Sequence, residues 1–472
     1  MPPAQFIPGK KGSLAKRLKQ LSPAQWLTLF YALAIFFGAG LLATPLAARG
    51  EPVAFIDALF TATSAQCVTG LTVIDTGTRF SLFGQLVVLA LIQIGGLGIT
   101  TFSVYLFIYL RIGVGAKGRW IINETLMHTP VGSWRELIRG IVVLTLVIEA
   151  IGTALLALVF VPRLGFWPGF YSAAFHSISA FCNAGFSLFP DNLIGYRDHA
   201  LVNLTIMVLI ILGGIGFLVI REVMAWLGSR IRNLRHPRRR NIRISLHSKV
   251  VMVTSVFLII GGAFLIGRLE KDNALTGMPF LEVMWTSLFQ SVSARTAGYN
   301  TVDLNNFRSS TLFLVIFLMF IGASPGSAGG GVKTTCLALF FAVFYNRLKG
   351  NPHTSLFRRT VPDELITKAL VLVLLAVILV GIALFGLLIA QSPDLTHENP
   401  REFLACAFEA VSAFATVGLS VGLTAKLNVA GKWIIILLMF VGRVGLLTLA
   451  FAIAGKTRRF SARYAEENVM IG

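Results

Sequence analysis

Long apolar runs and short semi-apolar segments alternate along this chain, and the alternation recurs four times. Paired long runs fall at about 24–48 and 80–110, 136–162 and 199–229, 246–268 and 310–346, and 364–391 and 430–454. Each run holds few or no charges over a length that, at about 1.5 Å per helical residue, crosses ~30 Å of hydrocarbon. Between the members of each pair lies a shorter segment, near 54–67, 169–182, 282–294 and 402–414. Its roughly 13 helical residues reach about 20 Å, too short to cross. These segments are expected to enter the membrane, stop and return, because irregular backbone at that depth survives only when buried in protein or lining a water-filled path. The predicted fold is an all-α polytopic membrane protein of four span–re-entrant pore helix–span repeats, with pseudo-fourfold symmetry and eight transmembrane helices. The repeats occupy 24–110, 136–229, 246–346 and 364–454, joined by loops 111–135, 230–245 and 347–363 and flanked by tails 1–23 and 455–472.

The short segments share a motif: Phe, three residues, Ser-Ala, a brief gap, then Gly and an apolar residue. The copies are Phe60 with Ser64, Ala65, Gly70 and Leu71; Phe175 with Ser179, Ala180, Gly185 and Phe186; Phe289 with Ser293, Ala294, Gly298 and Tyr299; and Phe408 with Ser412, Ala413, Gly418 and Leu419. The glycines are 115, 113 and 120 residues apart, and the third copy is one residue shorter between Ala and Gly. Recurrence on a fixed period is the mark of a structural repeat.

A chain of 472 residues that is 55% hydrophobic and 13% charged is not an ordinary soluble protein. In a soluble chain the net charge of +20 would suggest nucleic acid; here a basic cytoplasmic face accounts for it. With the N-terminus, the between-repeat loops and the C-terminus on one side, that side together with the adjoining span ends holds 28 Lys/Arg against 7 Asp/Glu, and the opposite side, the short segments with their flanking loops and span ends, holds 11 against 13. Both termini are therefore expected in the cytoplasm of a cell carrying this protein in its inner membrane, with the short segments entering from outside. The densest basic run, from Arg230 through Arg232, Arg235, Arg238 and Arg239 to Arg240, suits lipid headgroups or an acidic partner better than nucleic acid. Cys67, Cys182, Cys336 and Cys406 show no metal-ligand spacing, and Cys67 and Cys182, each three residues before a repeat glycine, read as small buried apolar residues. No cleavable signal peptide is expected, since the first 20 residues are basic and polar and the first apolar run is long enough to span.

A half-spanning helix presents its carboxyl end, about half a negative charge, to the bilayer centre and favours a cation there. The extended residues after it have no donor in lipid, so four such strands on one axis would turn their carbonyls towards a dehydrated ion. The candidate filter strands are Val68, Thr69, Gly70 and Leu71; Asn183, Ala184, Gly185 and Phe186; Thr296, Ala297, Gly298 and Tyr299; and Thr416, Val417, Gly418 and Leu419. None carries a carboxylate, and backbone carbonyls suit potassium better than calcium or sodium.

On these residues the chain, from about residue 24 to its C-terminus, resembles the membrane subunit of the Trk/Ktr/HKT superfamily of potassium transporters. The resemblance implies one filter glycine per repeat, at Gly70, Gly185, Gly298 and Gly418, with potassium bound there. Plant members with Ser at the first position favour sodium, so Gly70 implies potassium. About 23 residues precede the first span, and the ending Val469, Met470, Ile471, Gly472 resembles the KtrB type, in which the terminus contributes to a homodimer contact. The resemblance further implies a separate KtrA-like cytoplasmic ring whose nucleotide-binding domain takes ATP or ADP and docks on the basic loops. The chain itself is expected to need no prosthetic group.

A second repeat lies 24 to 28 residues beyond each filter glycine: Gly95-Gly96-Leu97-Gly98, Gly213-Gly214-Ile215-Gly216, Gly322 to Gly326, and Gly442-Arg443-Val444-Gly445. Small residues let helices approach closely, which suffices for the first two. The third, Gly322, Ala323, Ser324, Pro325, Gly326, Ser327, Ala328, Gly329, Gly330 and Gly331, cannot continue a helix well and should break in mid-membrane. A phosphate-binding loop would need Lys directly after the last Gly, but Val332 precedes Lys333 and no strand leads in. The family uses this loop as a gate beneath the filter. Arg443, in the middle of the fourth second span, is expected to repel cations and to donate hydrogen bonds to freed carbonyls of 322–331, with Lys333 adding to the barrier or facing the cytoplasmic end. Among the copies, only the third is expected to break and only the fourth carries the arginine.

Arg295 is expected to point away from the pore and pair with Glu409 or Glu282, Glu149 to make an inter-helix hydrogen bond, and His176 to be a packed neutral side chain. The repeat phenylalanines read as core. The rival readings are a sodium-permeable or sodium-coupled transporter of the same superfamily and the potassium-translocating subunit of an ATP-driven pump. An enzyme is disfavoured, because no paired carboxylates, nucleophile–base set or metal cluster is evident.

Overall fold

The computed structural model describes residues 23–112, 134–235, 243–391, 401–446 and 448–449. The tails, the heart of the basic run with Arg238, Arg239 and Arg240, and the Val469–Gly472 ending lie outside the described residues. What is described is mostly helical, and one unit recurs: a long helix, a short buried helix, a loop and a returning helix. The first unit comprises α1 (Pro23–Leu42), α2 (Phe55–Gln66), the single turn α3 (Thr76–Arg79) and α4 (Leu82–Ile112). The second has α5 (Trp134–Leu164), α6 (Phe166–Phe181), α7 (Ala200–Ile215) and α8 (Phe217–Arg235). The third has α9 (Leu246–Glu270), α10 (Phe280–Ser293), α11 (Ser309–Phe320) and α12 (Thr334–Leu348). A two-stranded hairpin, β1 (Ser355–Leu356) and β2 (Arg359–Thr360), leads to α13 (Asp363–Gln391), α14 (Arg401–Ala415) and α15 (Val429–Val444).

The leading helix of every unit is long and apolar enough to cross a membrane: Ala24–Leu42, Ile138–Leu164, Leu246–Glu270 and Asp363–Gln391. Their outer faces expose Phe37, Phe257, Phe264, Ile382 and Phe385, an apolar surface suited to lipid. The returning helices are less uniform than the sequence pattern suggests. Helices α7 and α8 pass the length test only as a pair bent by 104°, and Leu82–Gly98, α11 and α12 are shorter apolar helices.

The units close into a ring. Each returning helix packs on the next unit's short helix: α4 on α6, α7 on α10, α11 on α14, and α15 back on α2. At that closure Lys432 Nζ sits 2.5 Å from Asp57 Oδ1. The four short helices are the centre of the ring, and Phe60, Phe175, Phe289 and Phe408 are all sealed in it, as core packing requires.

Candidate functional site

Each short helix stops because the residue at or just past its end adopts a left-handed conformation: Val68 (φ 54°), Asn183 (59°), Thr296 (69°) and Thr416 (51°). None is glycine, and a non-glycine residue in that region costs about 1–3 kcal/mol unless its surroundings hold it there. Two residues on, Gly70 (φ 93°), Gly185 (69°), Gly298 (75°) and Gly418 (90°) repeat the positive angle. The residue between is not in that region, so φ alternates in sign along every strand. A regular strand would point successive carbonyls to opposite sides; this alternation breaks that rule.

The strands meet at their glycines. A Cβ on Gly185 would fall 2.7 Å from Ala297 O and 2.9 Å from Gly298 Cα, and one on Gly298 would fall 3.2 Å from Gly418 Cα. Gly418 faces Gly70 in the same way, and Gly70 faces Gly185. The carbonyls of Thr69, Ala184, Ala297 and Val417 each lie against a neighbouring strand's glycine. Of the sequence-predicted filter residues, the four glycines and the residues before them are thus brought together, and Asn183 with Thr296 and Phe186 with Tyr299 also meet across strands. Above the ring opens a cavity of about 270 Å³ lined by Asp75, Asp191, Asn192, Asn300 and the four glycines.

Two sets of bracing groups went unassigned in the sequence. The motif serine of each short helix bonds the strand that follows: Ser64 Oγ accepts from Gly70 N at 3.1 Å, Ser179 Oγ donates to Phe186 O at 2.9 Å, and Ser293 Oγ donates to Tyr299 O. Ser412 Oγ does both, accepting from Gly418 N at 3.1 Å and donating to Leu419 O at 2.7 Å. In the second and fourth units the residue after the motif phenylalanine also braces the residue two positions past the glycine. His176 Nε2 lies 3.0 Å from Ser187 Oγ, and Glu409 accepts from Ser420 Oγ and, at 2.7 Å, from Thr424 Oγ1. Recurrence of the serine in every copy was the available signal. Tyr299 OH also donates to Phe186 O at 3.0 Å, tying the third strand to the second.

Below the ring, the chain between α11 and α12 is an irregular loop, as expected for 322–331. It lies directly under the strands: a Cβ on Gly329 would strike Thr296 Oγ1 and one on Gly330 would strike Thr416 Oγ1. Gly330 N donates to Thr416 Oγ1 at 3.1 Å. Arg443, buried, donates from Nη1 to Ala328 O and from Nη2 to Gly95 O at 2.9 Å, and Tyr31 OH reaches the same Gly95 oxygen at 2.8 Å. Lys333 Nζ turns back onto the loop, donating to Gly329 O at 2.7 Å, rather than facing the cytoplasmic end.

The expectation that only the third copy breaks is overturned. The second copy breaks at Gly216 (φ 98°), between α7 and α8, and α15 ends at Val444 before Gly445 (φ 89°). The second break has a definite cause. Gly213 O and Gly214 O, freed from the helix, accept from Ala328 N at 3.1 Å and Ser324 N at 3.0 Å, and Phe217 N donates to Gly326 O at 3.2 Å. The loop takes the place of the next helical turn. In the first copy, by contrast, α4 runs through Gly95 to Gly98 unbroken.

Arg295 does not pair with Glu409 or Glu282. Its Nη2 donates to Ser255 Oγ at 3.2 Å, and among the described residues no carboxylate reaches it; Glu282 pairs with Arg197 at 3.0 Å. The carboxylate of Glu409 is already occupied behind the fourth strand. Glu149 makes its inter-helix bond, accepting from Gln93 Nε2 at 3.2 Å. All four cysteines are free and buried, and among the described residues no cluster of three or more His, Cys, Asp or Glu could hold a metal.

Residues 27–459 match the protein family TrkH, described as a cation transport protein. The Ktr system potassium uptake protein B of Bacillus subtilis is 39% identical over 455 residues, covering 96% of this chain and 97% of that protein. The potassium/sodium uptake protein NtpJ of Enterococcus hirae is 36% identical over 459 residues, covering 96% of this chain and 98% of its own. Among solved structures, the potassium transporter TrkH from Vibrio parahaemolyticus superposes with a TM-score of 0.70 at 19% identity, over 93% of this chain and 86% of that one.

Proposed function

The chain belongs to the TrkH family of cation transport proteins, and from that premise we propose that it carries potassium into the cell through the ring of Gly70, Gly185, Gly298 and Gly418. It is a membrane transporter, not an enzyme. The observation that carries the reading is the alternation of positive φ in four equivalent strands meeting at their glycines. That backbone lets neutral carbonyls replace an ion's water, with no charged side chain to favour a divalent cation.

In this reading the eight predicted spans surround one pore, with the broken and short returning helices accounting for the non-uniform ones. Both termini lie in the cytoplasm. The 322–331 loop is the gate, held shut beneath the ring by Thr416, Lys333 and Arg443, and the guanidinium adds an electrostatic barrier to cations. A regulatory nucleotide-binding ring docks on the basic loops of a homodimer. Support for a partner comes from the names of the similar Ktr system proteins, since a system implies more than one component.

A sodium-permeable reading is favoured by one finding, the similarity to a protein named for potassium and sodium uptake. Expression in a bacterium lacking potassium uptake tests both. Growth at low potassium without added sodium supports the carbonyl-ring reading. Growth that requires sodium supports coupling, and no rescue in a strain that also carries a Ktr-type regulatory subunit overturns the proposal.

A further inference from the structure

A crevice of about 730 Å³ opens on the lipid-facing side of the third unit, between α9 and α10. It runs along α9 from Ile260 to Lys271 just past the helix end, about 16 Å, which is the depth of one leaflet. Its walls are apolar, with Ile260, Phe264, Val283 and Leu288 along its length, and Arg268 and Lys271 stand at its outer end. Both cations are exposed, and among the described residues neither makes an ion pair. Asp272 shares that rim.

Within the crevice, beside Gly267 and so one turn before Lys271, Ser287 is 2% exposed and its Oγ has no hydrogen-bond partner. Gly267 faces it, where a Cβ would come 3.0 Å from Ser287 Oγ. A buried hydroxyl without a partner loses about 1–3 kcal/mol of desolvation, which an acceptor entering the crevice beside it would recover.

We propose that this crevice is a binding site for one anionic phospholipid. The phosphate sits between Arg268 and Lys271, an ester carbonyl accepts from Ser287 Oγ, and an acyl chain lies against Phe264, Val283 and Leu288. The order of the groups matches the lipid: charge at the membrane boundary, an ester-level donor beneath it, hydrocarbon below. The two cations select an anionic headgroup over a zwitterionic one, and Asp272 lowers that preference without reversing it.

Native mass spectrometry of the full-length protein in detergent, titrated with phosphatidylglycerol or phosphatidylcholine of matched chains, tests the site. One phosphatidylglycerol retained at least tenfold more tightly than phosphatidylcholine is expected, with that preference lost in Arg268→Ala/Lys271→Ala. Ser287→Ala should weaken both lipids alike, because it acts on the ester and not on the headgroup. Equal retention of the two lipids, or an unchanged preference in the double variant, overturns the proposal. So does a shift of the double variant from dimer to monomer, which would mean that a second copy covers this face. Potassium uptake by the same variants is read separately, so failure here leaves the transport reading untouched.

Discussion

Thr416 Oγ1 accepts a hydrogen bond from Gly330 N at 3.1 Å, joining the fourth glycine-bearing strand to the loop beneath it. Thr416→Val keeps the side-chain shape but strands a buried N–H, at a cost of about 1–3 kcal/mol to the closed arrangement. That corresponds to roughly 5–150-fold in the balance of closed and open loop. Rubidium uptake into proteoliposomes without a regulatory partner should rise by a factor in that range, and Thr416→Ser should restore the low rate. An unchanged rate in Thr416→Val would show that the loop does not limit flux.

Arg443 holds the loop and the first unit together through Ala328 O and Gly95 O. Arg443→Ala removes charge and tethers at once. Arg443→Lys keeps the charge but cannot span two acceptors with a planar fork. Basal flux should therefore rise in the order wild type, Lys variant, Ala variant. If the lysine variant matches wild type, the electrostatic barrier dominates; if it matches alanine, the tethers do.

A methyl group at Gly185 would fall 2.7 Å from Ala297 O while the residue kept a φ of 69°. Overpacking and left-handed strain each cost about 1–3 kcal/mol. Potassium uptake by Gly185→Ala should fall on the order of 100-fold, with the protein still eluting as wild type does on size-exclusion chromatography. Near-normal uptake would mean that ions do not pass through the ring.

The sequence pattern made the ring legible because glycine and phenylalanine at fixed offsets leave the backbone little choice, and four copies reinforce one another. The break at Gly216 was not legible. Gly213 to Gly216 reads like Gly95 to Gly98, yet one bends and the other does not, because Ala328 and Ser324 from another unit supply donors to Gly213 and Gly214. Arg295 was misassigned for a similar reason. A cation predicts a carboxylate by charge alone, but packing brought Ser255 to it and gave Glu409 to Ser420 and Thr424.

The bracing serines were visible in every copy but carried no assigned role until their partners were seen. Ser412→Ala leaves Gly418 N without its acceptor and Leu419 O without its donor, each unmet group worth about 1–3 kcal/mol if buried. The strand should loosen more than it collapses. Discrimination of potassium over sodium, read from competitive uptake, is expected to fall about tenfold at modest cost to total flux. Unaltered discrimination would mean that the strand is held by its own backbone.

Lys432 and Asp57 close the ring between α15 and α2, with side chains 16% and 20% exposed. At that burial the pair is screened less than a surface pair, and a coupling energy of about 0.5–3 kcal/mol is expected from a double-mutant cycle on thermal unfolding in detergent. Lys432→Met and Asp57→Asn should each lower the melting temperature, and the double variant should lose less than their sum. The charge-swapped pair should not recover fully. Asp57 lies in the first turn of α2, where the helix dipole favours an anion by about 0.3–1 kcal/mol, and a lysine there would forfeit that term. Full recovery on swapping would show that pairing alone fixes the closure, and strict additivity in the cycle would show that it plays no part.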